Sequence, residues 1–158
     1  MKRIKVTPAG INLVFTGAEA DLLASVAEQL SELLDGYEDR DGDPALERLL
    51  PDGYRENAED AEEFRRFTQT ELVDEKVAGA RGIADALKPR TAKGMASVTL
   101  RHPEAVAWLR SLNDIRLALA ARLGIVDEGS PPPLDDNGYA IYIWLGQVQF
   151  LLLRAVDR

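Results

Sequence analysis

Few side chains in this 158-residue sequence could carry out chemistry. The chain has no cysteine and one histidine, which excludes thiol catalysis, disulfides, thiolate zinc sites and multi-histidine metal centres. The histidine, His102, precedes a proline and has no serine nucleophile in a recognisable context, so we interpret it as a loop or helix-capping residue. Phosphate-loop and dinucleotide-binding glycine patterns are absent. The sequence therefore predicts no enzyme, no cofactor and no metal.

Carboxylates are abundant, but their setting does not favour catalysis. Glu59, Asp60, Glu62 and Glu63 lie in an acidic run without the apolar neighbours that raise a carboxyl pKa. An enzymatic alternative would need a polar pocket holding at least two carboxyl groups with shifted pKa values. Residues 19–76 contain 19 acidic and 6 basic residues, whereas the whole chain has a net charge of −8. Such a region is either a set of solvated helix faces or a surface suited to a basic protein.

The segment Lys88–Gly94 (KPRTAKG) is basic and follows the acidic region. Lys88, Arg90 and Lys93 are candidates for phosphate contact, together with the basic N-terminal residues. No aromatic residues are interleaved with them, so the pattern only weakly indicates nucleic-acid binding. Direct DNA binding through this segment is the alternative to protein binding.

The stretch from Trp108 to Leu123 has the apolar spacing of an amphipathic helix, and three polar residues interrupt it. Arg116 falls within the apolar stripe, so its charge must be paired or must reach solvent. We expect its partner among the carboxylates of residues 57–76, with a ligand or partner contact as the alternative. Asn113 falls at the edge of the stripe and is expected to bond a neighbouring backbone. Asp114 falls on the opposite side and is expected to face solvent.

Hydropathy patterning predicts a mainly α protein of the α+β class, with about four main helices and a small N-terminal hairpin or three-stranded sheet. The predicted helices are Ala18–Asp35, a short one from Pro44, 57–87, one from His102-Pro103 to Leu123, and Tyr139–Val156 after a proline-rich linker. The predicted strands are Lys2–Thr7, Ile11–Thr16 and Ser97–Arg101. The wide apolar face of the last helix predicts that it is central and largely buried.

Five segments, in this order and spacing, resemble the actinobacterial AosR-like family of oxidative-stress regulators: LLASVAEQLSELL, DPALERLLPDGY, EFRRFTQTELVDEK, AVAWLRSLNDIRLALAARLGI and YIWLGQVQFLLL. The most specific segment is Trp108–Ile125. The resemblance implies a transcriptional regulator that senses oxidation through a cysteine pair and engages an alternative sigma factor to raise transcription of a cysteine-biosynthesis operon. Because this sequence has no cysteine, the disulfide switch does not carry over.

Taken together, these observations predict a single domain spanning residues 1–158 that acts as a non-enzymatic regulatory or protein-interaction module. The expected partner is a sigma factor or another basic transcription protein. We expect a cytoplasmic protein, because no stretch resembles a signal peptide or approaches a membrane span of roughly 20 apolar residues. A homodimer is also plausible from the apolar faces of the last two helices and from Phe64 and Phe67.

Overall fold

The computed structural model describes the backbone of residues 1–39, 42–50, 58–125, 129 and 136–158, and the side chains of these residues apart from 58–67 and 136. Three strands and five helices are present in this part of the chain. They are β1 (Arg3–Thr7), β2 (Gly10–Phe15), α1 (Gly17–Asp35), α2 (Pro44–Leu49), α3 (Ala58–Ala86), β3 (Ala96–Leu100), α4 (His102–Leu123) and α5 (Asp136–Val156), with one 3₁₀ turn at Tyr37–Asp39. The predicted class and element order are confirmed.

The sheet is antiparallel in the order β1-β2-β3. β1 and β2 form a hairpin in which Thr7 pairs with Gly10, and β3 then pairs with β2, with Ile11 opposite Leu100. Gly10 has a φ of 139°, and a Cβ there would lie 2.4 Å from the Leu100 carbonyl oxygen. Only glycine permits both this backbone conformation and this close approach.

The sheet packs its apolar face against the helices. β3 alternates buried and exposed residues along its length, so that Ala96, Val98 and Leu100 point inward. The ring centroid of Phe15, which is fully buried, lies 6.4 Å from that of Trp108 on α4 and 6.4 Å from that of Trp144 on α5. Phe15 therefore joins the sheet to both C-terminal helices.

Helix boundaries follow from capping. Thr16 accepts a hydrogen bond from the backbone N–H of Glu19, and the Glu19 side chain accepts one from the Thr16 N–H, which completes a capping box. Asp43 caps α2, with Pro44 in its first turn. Gly124, with a φ of 75°, ends α4 as expected from the sequence.

The expectation that α5 is central and largely buried is wrong. Its inner residues Leu145, Val148 and Leu152 are buried, but Ile143, Phe150 and Leu153 are exposed. The helix contacts chiefly α4 and also β1, so it lies at the side of the bundle. A wide apolar face indicates how much of a helix could be covered, not how many neighbours are present to cover it.

By length and composition, α5 is also the one helix within the described residues that could cross a membrane, over Asn137–Val156. Only 22% of that segment is buried. The sequence expectation that no segment approaches a membrane span therefore needs correction. The inner face of α5 nevertheless packs against the protein core, through Leu145, Val148 and Leu152.

Candidate functional site

Helix α4 positions Asn113, Asp114 and Arg116 within one turn. Successive residues of an α-helix are rotated by about 100°, so these side chains point in different directions. Asp114 points toward α3, Arg116 points toward α5, and Asn113 is exposed. The site therefore has two flanks, one facing α3 with Asp114 and one facing α5 with Arg116.

On the α3 flank, Asp114 forms a largely buried ion pair. Its Oδ1 accepts a hydrogen bond from the Nζ of Lys76 at 2.8 Å, and the two side chains are 9% and 19% exposed. Burial raises the pKa of the Asp114 carboxyl above its usual range, with Glu75 adding a smaller rise, while Lys76 acts in the opposite direction. The expectation that Asp114 faces solvent is wrong, because α3 covers the side of α4 that lies away from the apolar stripe.

On the α5 flank, Arg116 contacts three residues. Its Nη1 donates to the Oε1 of Gln149 at 3.0 Å, and its guanidinium lies 4.5 Å from the centroid of the Tyr142 ring. A Cβ on Gly146 would come within 3.1–3.4 Å of the guanidinium. Arg116 is thus paired within the bundle, as expected, but the predicted carboxylate partner from residues 57–76 is wrong for the side chains that the structure describes. The Nε of Arg116 is buried and unpaired.

The expectation for Asn113 also needs correction, because it lies on the rim of an open cleft rather than at the core edge. The cleft lies between α3 and α4 and has a volume of about 350 Å³. It is lined by Leu72, Glu75, Lys76, Gly79, Ala107, Arg110, Ser111, Asn113 and Asp114. A Cβ on Gly79 would lie 2.5 Å from the Ser111 Oγ, so the small residue at position 79 allows the two helices to approach closely.

The cleft brings four ionisable side chains together, which the sequence analysis did not foresee. They are arranged as two pairs of opposite charge. Lys76 holds Asp114, and Arg110 lies 4.0 Å from Glu75 at the exposed rim. Each acid therefore has a cation beside it, which is an arrangement suited to joining helices.

A second feature is an acidic stripe on the outer face of α1, formed by Asp21, Glu28, Glu32 and Asp35. Their spacing of seven, four and three residues places them on one side of the helix, and all four are exposed. Helix α1 contains no lysine or arginine. The acidic character of residues 19–76 is evident from composition, whereas the stripe itself is indicated only by the helical spacing of these four carboxylates.

Ion pairs with described side chains occupy the two ends of the acidic stripe but not its middle. Asp21 pairs with Arg90 at 2.9 Å, and Asp35 pairs with Arg81 at 2.8 Å. Glu28 and Glu32 lie between them and form no ion pair with any residue whose side chain the structure describes, although Glu28 is close enough to Lys88 to add to the rise of the Lys88 pKa that Asp85 mainly causes. The carboxylates of Glu71 and Asp74 on the neighbouring helix α3 are exposed as well.

The basic segment makes contacts within the protein. Lys88 lies 2.9 Å from Asp85, and the Arg90 guanidinium donates to the Leu87 carbonyl oxygen as well as to Asp21. Lys93 is exposed. His102 is exposed at the first residue of α4, in agreement with a helix-end position. The side chains of Glu59, Asp60, Glu62, Glu63, Phe64 and Phe67 lie outside those described.

These observations define the class of the protein: an α-rich bundle with a small antiparallel sheet and an acidic outer face on α1. Residues 1–156 match the family described as "Domain of unknown function (DUF2017)", and the chain belongs to that family. The resemblance to the AosR-like family is confirmed. The chain is 29% identical over 144 residues to "Oxidative stress regulator AosR" of Mycobacterium tuberculosis (strain ATCC 25618 / H37Rv), covering 80% of this chain and 64% of the relative.

A "Putative oxidative stress regulator AosR" of Mycobacterium leprae (strain TN) is 29% identical over 148 residues, which cover 82% of this chain and 65% of the relative. The chain therefore spans less than two thirds of the length of these curated relatives. No solved structure matches the chain.

Proposed function

We propose that this chain is a regulatory protein that acts by binding a basic protein of the transcription apparatus, such as a sigma factor, through the acidic stripe of α1. The observation that carries the proposal is the pair of exposed carboxylates Glu28 and Glu32, which form no ion pair with a described side chain and lie on a helix without any basic residue. The curated relatives support a regulatory role, because they are named oxidative stress regulators. Complementary charge raises the rate of encounter and selects among partners.

The proposal does not include a disulfide switch, because the 158 residues contain no cysteine. It also contains no catalytic step, since the ionisable groups of the α3–α4 cleft are paired with one another. We place the protein in the cytoplasm as part of the same proposal, because its partner is there.

Direct DNA binding through Lys88, Arg90 and Lys93 is the less supported alternative. Lys88 and Arg90 are each paired with a carboxylate, and Arg90 also joins the end of α3 to α1. The nearby carboxylates of α1 repel phosphate. A gel-shift titration of duplex DNA tests this alternative, with Lys88→Ala/Lys93→Ala as the variant that spares the structural contacts of Arg90. DNA binding that this variant weakens would favour the alternative.

The test of the proposal is affinity purification from cell lysate followed by mass spectrometry, with the wild-type chain and a Glu28→Gln/Glu32→Gln variant as baits. Both substitutions keep the helix and remove two charges. The matched control is Glu47→Gln/Asp157→Asn, which removes two exposed charges outside α1 and α3.

We expect the wild type and the control to recover a basic transcription protein, and the α1 variant to lose most of it. The amount of partner recovered with the wild-type chain should also decrease when the salt concentration rises from about 50 to about 300 mM, because salt screens exposed charges. Failure to recover any transcription protein at low salt contradicts the proposal, as does equal recovery by the α1 variant.

A further inference from the structure

The outer face of α5 carries an apolar surface that the fold leaves uncovered. Phe150 is 57% exposed, Leu153 is 49% exposed and Ile143 is 42% exposed. Large apolar side chains grouped in this way on a small protein mark an interaction surface. The surface belongs to α5, which contacts chiefly α4, and so it is separate from the acidic stripe on α1. An inference about it goes beyond the function proposed above.

The spacing of these residues is that of a helix-pairing seam. We call one row of residues on α5 the outer seam: Ile143, Gly146, Phe150 and Leu153. They follow one another at intervals of three, four and three residues. A repeat of alternating three and four residues places side chains along one side of a helix, where a second helix can pack against them. The inner residues Leu145, Val148 and Leu152 lie on the other side of α5 and are already buried.

The charge distribution favours a second copy of this chain as the occupant. Residues 19–76 contain 19 acidic and 6 basic residues, so two copies that meet through this region repel each other. The segment 137–156 contains no aspartate or glutamate, and Arg154 is its one charged residue. Two copies can therefore approach through α5 without opposing negative charges.

We propose that two copies of the chain pair through their outer seams with the two α5 helices antiparallel. In the register centred on residue 148, Ile143 lies opposite Leu153 of the second copy, and Gly146 lies opposite its Phe150. Because the Arg116 guanidinium lies over Gly146, 3.1–3.4 Å from where a Cβ would be, this register places the largest side chain of the seam against that guanidinium. A guanidinium favours an aromatic face such as the Phe150 ring.

The size of the surface sets the strength of the pairing. The seam residues expose on the order of 300 Å² per copy, and specific stable interfaces bury about 1,200–2,000 Å² in total. The interface is therefore small, and we expect a reversible dimer whose population depends on protein concentration.

Cysteine cross-linking tests the register, and the absence of native cysteine makes it unambiguous. In the double variant Ile143→Cys/Leu153→Cys, each cysteine lies opposite its counterpart on the second copy, so mild oxidation should give a covalent dimer. Positions 143 and 153 of one helix are about 15 Å apart, too far for a bridge within one chain. The single variant Ile143→Cys should cross-link far more slowly, because its counterpart is displaced by a similar distance.

Equal or faster cross-linking of the single variant, or none in the double variant, overturns the antiparallel pairing. Sedimentation equilibrium over a concentration series provides the second test. Phe150→Asp should raise the dimer dissociation constant at least tenfold. Ala140→Asp adds the same charge to an exposed position of α5 off the seam and should leave it nearly unchanged. A wild type that stays monomeric, or that binds phosphatidylcholine vesicles through Phe150 instead, overturns the proposal.

Discussion

Replacing Lys76 by methionine tests how the α3–α4 contact is held together. The substitution keeps the aliphatic part of the side chain and removes the cation that pairs with Asp114 at 2.8 Å. Removing one partner of a fully buried ion pair typically costs about 3–5 kcal/mol. Asp114 and Lys76 are 9% and 19% exposed beside an open cleft, so water compensates part of the loss. We expect the free energy of unfolding at neutral pH to fall by about 2–3 kcal/mol, which is at or just below the lower end of that range.

The decrease in the free energy of unfolding caused by Lys76→Met should depend on pH in a defined direction. Burial already raises the pKa of Asp114 in the folded protein, and removal of Lys76 raises it further. A folded-state pKa above the unfolded-state value means that the folded protein binds the proton more tightly, so the free energy of unfolding falls as pH rises through that interval. The cost of Lys76→Met should therefore be smallest near the ordinary aspartate pKa of about 4 and reach its full size at neutral pH.

The assay is urea denaturation of the wild type and the variants at both pH values. Arg81→Met is the control, because the Arg81–Asp35 pair is exposed on both sides and is expected to contribute at most about 1 kcal/mol. The double variant Lys76→Met/Asp114→Leu removes both charges and should recover most of the loss. The reasoning is refuted if Lys76→Met costs no more than Arg81→Met, or if the double variant is as unstable as the sum of the two single variants.

Three further substitutions have outcomes that thermal or urea unfolding can check. Gly82→Ala should stabilise the protein by up to about 1 kcal/mol, because no atom lies within 4 Å of the added Cβ and alanine favours a helix more than glycine does. Gly79→Ala should destabilise the protein, because the added Cβ would collide with the Ser111 Oγ. The double variant Gly79→Ala/Ser111→Ala should recover the lost stability. A stabilising Gly79→Ala would contradict the close approach of α3 and α4. Thr16→Ala should cost about 1 kcal/mol through loss of the α1 cap, and no change would mean that Glu19 alone holds that helix end.

Much of the fold could be predicted from the sequence because its signals are local. Pro8 and Gly10 define the hairpin, Gly124 ends α4, and the apolar spacing of Val73, Val77 and Ala80 identifies the buried face of α3. Each of these signals depends on residues within a few positions of one another. The element boundaries were accordingly predicted to within a few residues.

The candidate site was harder to predict because its contacts join residues distant in the sequence. Asp114 lies away from the apolar stripe of α4, and only the position of α3 explains why it is buried against Lys76, 38 residues earlier. Arg116 was correctly expected to need a partner within the bundle, but the choice between α3 and α5 depends on how the helices are arranged. The exposure of α5 was missed for the same reason, since a helical pattern does not show which neighbours are present.

Hydrogen–deuterium exchange of the chain with and without the protein recovered by affinity purification tests the central claim most directly. If the acidic stripe is the binding surface, the partner should slow amide exchange in the peptides that cover Gly17–Asp35 and leave α5 unaffected. Protection confined to α5 or to the α3–α4 cleft, with α1 unchanged, would contradict the claim that this protein acts through the negative surface of its first helix.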